Sequence, residues 1–350
     1  MFSLRNKQSK RNGAVGLDIG RSRIKAASLQ RQGDKLQLAQ YLVVPSSVPV
    51  GKAGAEQQFG QELQQVMSRL NASERNASVA ISCNSAIVCE AEFPRMPLEE
   101  AKNALKLNSS RYLRRDFTNY YLDAVEVAEV AQDSKAKKSG TIKLLVGGAN
   151  KDEVRWYRDA LLAAKIRPEA IELAAVSVIN AFQISHREDC EKDVVLLVDI
   201  GAHSTSINFL RGGQPRMTRI MHFGGAQISE YVGQMLTLDS AAAEEEKLKM
   251  SEPVQSLVKT ALLPLAREMR SSIDFFERQQ ECHVNKAFAG GGSACGKSIL
   301  NFLSEEVGLR IECWNPVVAL DISHFNGEMP ELEIVAPSLA AAIGVAATRV

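Results

Sequence analysis

The chain has 350 residues, more than one hydrophobic core usually spans, so two lobes are expected. Apolar residues make up 45% and charged residues 24%, with 11 prolines and 23 glycines spread along the chain, which excludes disordered, low-complexity and collagen-like classes. Lys and Arg number 42 against 41 Asp and Glu, a formal charge of +1 that excludes a nucleic-acid binder with a uniformly basic surface.

Taken in chain order, the first feature is basic: Arg5, Lys7, Lys10 and Arg11 precede any acid. This stretch lacks the apolar run of a signal peptide and reads as a solvated tail, with weak contact to an anionic membrane surface as its sharper reading. Next, Val15-Gly16-Leu17-Asp18-Ile19-Gly20 predicts a strand, followed after a small polar turn by a second strand over 24–29 and a glycine turn at 31–34. Phe59, Leu63, Val66, Met67 and Leu70 recur at helical spacing, and 78–82 reads as a strand. Residues 85–165 read as a separate unit: a strand over 86–93, a helix from Pro97, strands near 122–130 and 142–146, and a lysine-rich exposed loop at 132–140. Val154, Tyr157, Leu161 and Ala164 mark another helix, and 172–182 an apolar one.

The second half repeats the first. Leu197-Val198-Asp199-Ile200-Gly201 echoes the first strand 181 residues later, and is followed by a strand over 206–210 and a glycine turn at 211–214. Matching hairpins at the heads of two halves imply a duplicated, two-lobed protein. Further on, 256–277 carries one apolar helical face, with Pro264 expected to start or kink the helix. Ala287-Phe288-Ala289-Gly290-Gly291-Gly292-Ser293 is a strand breaking into glycines before a helix. No segment reaches the roughly 20 apolar residues of a membrane span; the nearest, 334–350, reads as a strand and turn followed by a buried small-residue helix. Six cysteines without paired spacing, mostly among apolar neighbours, read as buried free thiols of a reducing compartment, and neither they nor the five histidines form a metal motif.

Two Asp-Ile-Gly hairpins point to phosphate chemistry. A glycine after the carboxylate lets backbone approach a phosphate, and turn N–H groups cradle its oxygens. Asp18 and Asp199, facing each other across a cleft, would hold a divalent cation through water. Lys25 supplies a point charge, and Ser204 and Thr205 supply hydroxyls. A competing motif is present. Gly291–Ser298 matches the P-loop pattern G-x-x-x-x-G-K-[ST], with Lys297 as its lysine and 317–321 as its metal-binding strand. A P-loop domain needs several β-α units after the loop, and it would leave the paired hairpins idle.

The order of hairpin, second hairpin, triple-glycine turn and Ala-rich terminal helix resembles the actin-like ATPase superfamily. Within it the chain is most similar to the PilM family of type IV pilus assembly proteins, relatives of the division protein FtsA. Phe93-Pro94-Arg95-Met96-Pro97 before Glu99-Glu100-Ala101 resembles the family's opening of its inserted subdomain. Gly224-Gly225, Ala243-Glu244-Glu245-Glu246-Lys247, Asn315-Pro316 and 338–347 also sit where the family has them. The resemblance implies an α/β, two-lobed actin-like ATPase fold with duplicated ribonuclease-H-like halves and an FtsA/PilM-type inserted subdomain. It divides the chain into a first lobe (1–84, 166–190 and 336–350), an insert (85–165) and a second lobe (191–335, with 226–284 as a helical subdomain).

It also implies an ATP site. Asp18, Gly20, Arg21, Ser22 and Lys25 would form the first phosphate loop, and Asp199, Gly201, Ser204 and Thr205 the second. Glu244, Lys247, Gly290, Gly291 and Gly292 would hold the adenosine, and Mg2+ would sit between Asp18, Asp199 and the phosphates. Arg21 stands where the family has Ser or Thr, and His203 where it has a small residue; an added phosphate contact and a crowded loop are both open. The connecting helix offers only Glu172, at its edge, so nucleotide binding is implied and hydrolysis is not.

The implied role is a cytoplasmic scaffold at the inner membrane that docks the cytoplasmic tail of a PilN-like membrane protein, works with pilus motor components and has scope for self-association. No nucleic-acid partner and no transmembrane segment are expected. Arg111, Tyr112, Arg114, Arg115, Tyr120 and Tyr121 are the candidate docking residues on the insert. Two other readings remain: an FtsA-like filament former, against which the absence of an amphipathic helix after 350 is weighed, and a sugar or acetate kinase, which would need a carboxylate base in the cleft.

Overall fold

The computed structural model describes residues 12–70, 75–83, 85–127, 140–294, 296–323, 325 and 328–350. The basic stretch at the start and the loop expected at 132–140 fall outside these residues, apart from Gly140.

β1 (Gly13–Ile19), β2 (Arg23–Gln32) and β3 (Lys35–Pro45) form an antiparallel meander. α1 (Glu56–Arg69) leads to β4 (Asn76–Ile81), which pairs in parallel with β1. An inserted unit follows: β5 (Ile87–Pro94), α2 (Leu98–Leu107), α3 (Ser109–Leu113), β6 (Tyr120–Glu126) and β7 (Thr141–Asn150), its sheet ordered β5-β7-β6. α2 starts after Pro97, carries Glu99 and Glu100 in its first turn, and buries Ala101 and Leu105, four residues apart, against Phe93, Ala124 and Leu144. α4 (Lys151–Ala163), β8 (Arg167–Leu173), α5 (Ala174–Ser185) and α6 (Arg187–Lys192) complete the first half, whose sheet runs β3-β2-β1-β4-β8.

The second half begins again with a meander: β9 (Val194–Ile200), β10 (Thr205–Arg211) and β11 (Gln214–Met221). Three helices follow, α7 (Gly225–Leu236), α8 (Ser240–Lys249) and α9 (Glu252–Gln280). β12 (Lys286–Gly290), α10 (Lys297–Val307) and β13 (Ile311–Cys313) complete a sheet ordered β11-β10-β9-β12-β13. α11 (Met329–Val335), a 3-10 turn (Ala336–Leu339) and α12 (Ala340–Ala347) follow, so the strand expected from 334 is instead the end of a helix. In both sheets the third, second, first, fourth and fifth strands lie side by side with the same parallel and antiparallel pairings. The duplication read from the two Asp-Ile-Gly hairpins therefore extends to whole domains.

Strand alternation sorts the core into layers. Leu17, Ile19, Ile24 and Ala26 face α1 and α4, where Phe59 and Trp156 meet with ring centroids 5.3 Å apart. α4 lies within the segment expected as the insert, but its buried face packs on α1 in the first lobe. On the other face, Ala27, Leu29, Leu38 and Ala80 share one core with α5, α12 and Val195, Leu197, Leu210 and Phe288 of the second sheet. α5 and α12 thus form a middle layer sandwiched between the lobes. Their small residues allow unusually close approach: a Cβ at Gly344 would overlap the Ser177 carbonyl oxygen. The second sheet's other face packs on α7, α9 and α10.

Three expectations change. Met329–Ala347 is long and apolar enough to cross a membrane by length and composition, contrary to the sequence reading. It is nonetheless broken by the 3-10 turn, and 61% of its apolar window is buried in the middle layer. α9 runs unbroken through Pro264, whose exposed position leaves the Thr260 carbonyl facing solvent. Of the described cysteines, all free, Cys313 is exposed rather than buried; Cys295 lies outside the described residues.

Candidate functional site

Asp18 and Asp199 each stand one residue before the end of the first strand of their sheet. Register places Lys25 opposite Asp18, and its Nζ donates to Asp18 Oδ2 at 2.7 Å, a pair almost closed off from solvent. Burial pulls the Lys25 ammonium down, but the charge and hydrogen bond of Asp18, with the charge of Asp199, leave it raised overall. Burial pushes Asp199 up to about 6; Lys25 counteracts this and Asp18 adds to it. Two carboxylates and one ammonium therefore share one field at the base of the cleft. Among the described residues no cluster of three or more His, Cys, Asp or Glu side chains forms. These two carboxylates fit a hard divalent cation that takes its remaining oxygens from water and phosphate.

The loop after Asp199 is held by backbone. Gly201 N–H donates to Ser204 O at 3.0 Å, and the first N–H groups of α7, from Gly225 and Ala226, donate to Gly201 O and Ala202 O. Gln227 Oε1 accepts from Gly224 N–H and fixes the start of that helix. Ser204 remains partly exposed. Thr205 is fully buried, and its hydroxyl donates to Phe223 O at 2.7 Å, so it ties β10 to the loop instead of opening onto the cleft.

On the first hairpin Gly20, Arg21 and Ser22 form the turn, and Ser22 Oγ meets His203 Nε2 of the second hairpin at 3.4 Å. The two tips touch. Arg21 Nε is buried without a hydrogen-bond partner.

The glycine turn begins beside Asp199, because Gly290 is its register partner. Gly291 has φ +94°, and a side chain there would overlap the Ile200 backbone; a Cβ at Gly290 would lie 2.5 Å from Trp314 Nε1. Gly292 alone of the three has room for a Cβ, which would meet only Ser338 Cβ at 3.8 Å. Glu244 and Lys247, one turn apart on α8, meet at 2.6 Å; Lys247 Nζ also donates to Gly225 O at 3.2 Å, and Ser229 donates to Glu244. Burial works against the Glu244 carboxylate, but these hydrogen bonds hold it below its ordinary value. Ser229 and Arg23 were missed in the sequence. Arg23, on the first lobe, is exposed, and its charge reaches Glu244 on the second. Only the folded register brings either residue to the cleft.

On the insert, Tyr112 stacks on Phe93 with centroids 4.0 Å apart, and Tyr120 packs edge-on against Phe117 at 4.9 Å. Both tyrosines help to close the insert's core and are half-buried. Arg111, Arg114, Arg115 and Tyr121 are exposed, Arg111 lying over the Tyr112 ring and Arg114 ending α3 with φ +56°.

The family model of type IV pilus assembly protein PilM matches residues 16–350. The chain belongs to the PilM family. A solved PilM-PilN type IV pilus biogenesis complex matches with a TM-score of 0.82 and 25% identity, covering 95% of this chain and 97% of that one. The ethanolamine utilization protein EutJ from Carboxydothermus hydrogenoformans matches at TM-score 0.58 and 13% identity, covering 96% and 89%, a likeness of fold. The fold is that of the actin-like ATPases.

This fold overturns the P-loop alternative. β12 belongs to a mixed sheet built on an antiparallel meander, where a P-loop domain needs successive parallel β-α units. The expected metal-binding strand at 317–321 is a turn. Its Asp321 pairs through backbone with the first lobe, Leu38 N–H donating to Asp321 O and Asp321 N–H to Leu36 O. Glu172 is also displaced from expectation. It is 2% exposed beneath α5, held by Ser177 at 3.3 Å and Asn180 at 3.5 Å, and burial raises it to about 7.

Proposed function

We propose that this PilM-family chain is a cytoplasmic, nucleotide-binding scaffold of type IV pilus assembly. ATP with Mg2+ would lie between the lobes, and the cytoplasmic tail of a PilN-like inner-membrane protein would dock beside the insert. The observation that carries the nucleotide reading is the converging pair of Asp hairpins, with the Gly290–Gly292 turn and the Glu244–Lys247 pair around one cleft. The docking reading rests on the likeness to the PilM-PilN complex over nearly the whole of both chains. Magnesium would be held through water by Asp18 and Asp199, and it would neutralise the phosphates. With Glu172 enclosed under α5, the site binds nucleotide and hydrolyses it slowly or not at all.

Titration calorimetry with ATP and Mg2+ tests the first part. Asp18→Ala and Asp199→Ala are each expected to weaken binding about tenfold or more, and Lys297→Ala to leave it unchanged. The reverse pattern would sink the site assignment. For the second part, a peptide from the cytoplasmic tail of a PilN-like protein is expected to bind, and Arg111→Glu with Arg115→Glu to weaken it. No binding at high micromolar peptide counts against the scaffold role.

A further inference from the structure

The insert's sheet has two unlike faces. One packs on the first lobe through Val88, Leu145 and Ala149, and the other is closed by α2 and α3 over Phe93, Ala124 and Leu144. The helix pair is therefore the outer layer of the insert, and its outward side points away from the first lobe.

Charge on this layer departs from the balance of the chain. Residues 103–115 hold Lys106, Arg111, Arg114 and Arg115 and no acid, although the whole chain carries only +1. All four are exposed. Lys102, one turn before Lys106, is tied to Glu99 and Asp123, whereas none of these four meets a carboxylate among the described residues; Arg111 only lies over the Tyr112 ring, at 5.7 Å. Among them stands Leu107, the last residue of α2. At 88% exposed it is the most exposed large apolar side chain among the described residues. The insert's core does not claim it, since Ala101 and Leu105 already fill the buried face of α2.

An exposed leucine flanked by unpaired cations on an outer layer matches the chemistry of an anionic phospholipid surface. Such a surface presents many separate phosphates in one plane, so dispersed Arg and Lys side chains each find one, and guanidinium groups bind phosphate oxygens in pairs. Each basic residue held there is worth about fivefold in partitioning, so four give on the order of several hundredfold. Leu107 adds apolar burial at the level of the headgroups.

We propose that the α2–α3 layer of the insert is a membrane contact, with Lys106, Arg111, Arg114 and Arg115 on the phosphates of an anionic leaflet and Leu107 in its interface. This goes beyond the docking of a PilN-like tail. It needs neither peptide nor nucleotide, so either reading can fail alone. The contact is reversible and weakens with salt, because exposed charges carry most of it.

The test mixes the full chain with vesicles of phosphatidylcholine, alone or with about one third phosphatidylglycerol, and measures co-sedimentation at low and at physiological salt. The expected result is binding to the anionic vesicles only, weakened by salt. Lys106→Gln with Arg114→Gln is expected to weaken it about tenfold or more and Leu107→Ser several-fold, while Glu99→Gln with Glu100→Gln does not weaken it. Trp156 and Trp314, the chain's two tryptophans, are buried, so Leu107→Trp adds one exposed reporter. Its emission is expected to shift to the blue on anionic vesicles. No binding to either vesicle, equal binding to both, or an unshifted reporter overturns the membrane contact. Binding that survives the insert variants but is lost with Arg5→Gln, Lys7→Gln, Lys10→Gln and Arg11→Gln together belongs to the basic start of the chain, and overturns it for the insert. Capture of polyglutamate without vesicle binding also overturns it, and gives the patch to an acidic protein partner.

Discussion

At the scale of single residues the candidate site carries an electrostatic cost that the proposed cation would relieve. Asp199 is held at about 6 by burial, above the ordinary carboxylate value. A group raised on folding favours the folded state while protonated, and that contribution is lost as pH rises through the raised value. Asp199→Asn keeps the uncharged shape at every pH. It is expected to raise the melting temperature of the nucleotide-free protein at pH 7.5 by a few degrees, by roughly half as much at pH 5, and to lose Mg2+-nucleotide binding. Calorimetric scans at the two pH values check this; a lower melting temperature at pH 7.5 would contradict it. Thr205 gives the opposite case. Thr205→Val leaves the Phe223 carbonyl without its hydroxyl donor and is expected to cost about 1–2 kcal/mol in denaturant unfolding. The aspartates, Lys25 and the glycine turn were legible as chemistry because strand, turn and glycine have local signatures. The burial of Thr205, and the approach of Arg23 to Glu244, depend on cross-strand and cross-lobe register that no local pattern carries.

At the scale of elements the sequence was most legible where periodicity was strong. α1, α4 and the two hairpins lie where their patterns placed them, since one buried face fixes each register. The helix does not start at Pro264 but runs on through it, because a proline on an exposed helix face loses one hydrogen bond while the rest of the ladder and the buried face hold. Pro264→Ala restores that bond and is expected to stabilise by about 1–3 kcal/mol, measured by urea unfolding. α12 is the most constrained element. Gly344→Ala would drive a methyl group into the Ser177 carbonyl of α5, so the two helices must separate. A loss of about 2–4 kcal/mol is expected, against a near-neutral Gly292→Ala at the open position of the glycine turn. Comparable melting temperatures for the two variants would refute this packing account.

At the scale of the whole molecule the lobes are joined by a common core and not only by connecting chain. α5 contacts strands of both sheets and α12 packs between α5 and the first sheet, Asp321 pairs with the first lobe, and β5 of the insert lies alongside β11 of the second. Heat is therefore expected to unfold the described domains in one calorimetric transition, and two well-separated peaks would contradict the shared layer. Two lobes were readable from length and repeat, but the layer between them was not. Its closest approach runs through the alanines and the glycine of α12, whose value is in how closely they let α5 and the first sheet come, and single-chain patterns do not report distance.

The same layer sets a schedule for folding during synthesis. β1 (Gly13–Ile19) emerges from the ribosome early, yet α12 (Ala340–Ala347), one of the helices that covers it, is translated after every other described element. At about 5–20 residues per second that wait is on the order of tens of seconds. Through that interval one face of the first sheet has no permanent cover. The apolar run Met329–Ala347, when it does emerge, is long enough to attract a membrane or a chaperone before it finds its place. Nascent chains stalled ahead of residue 329 should therefore be the forms that chaperones hold most strongly, and release should follow once the final helix is out.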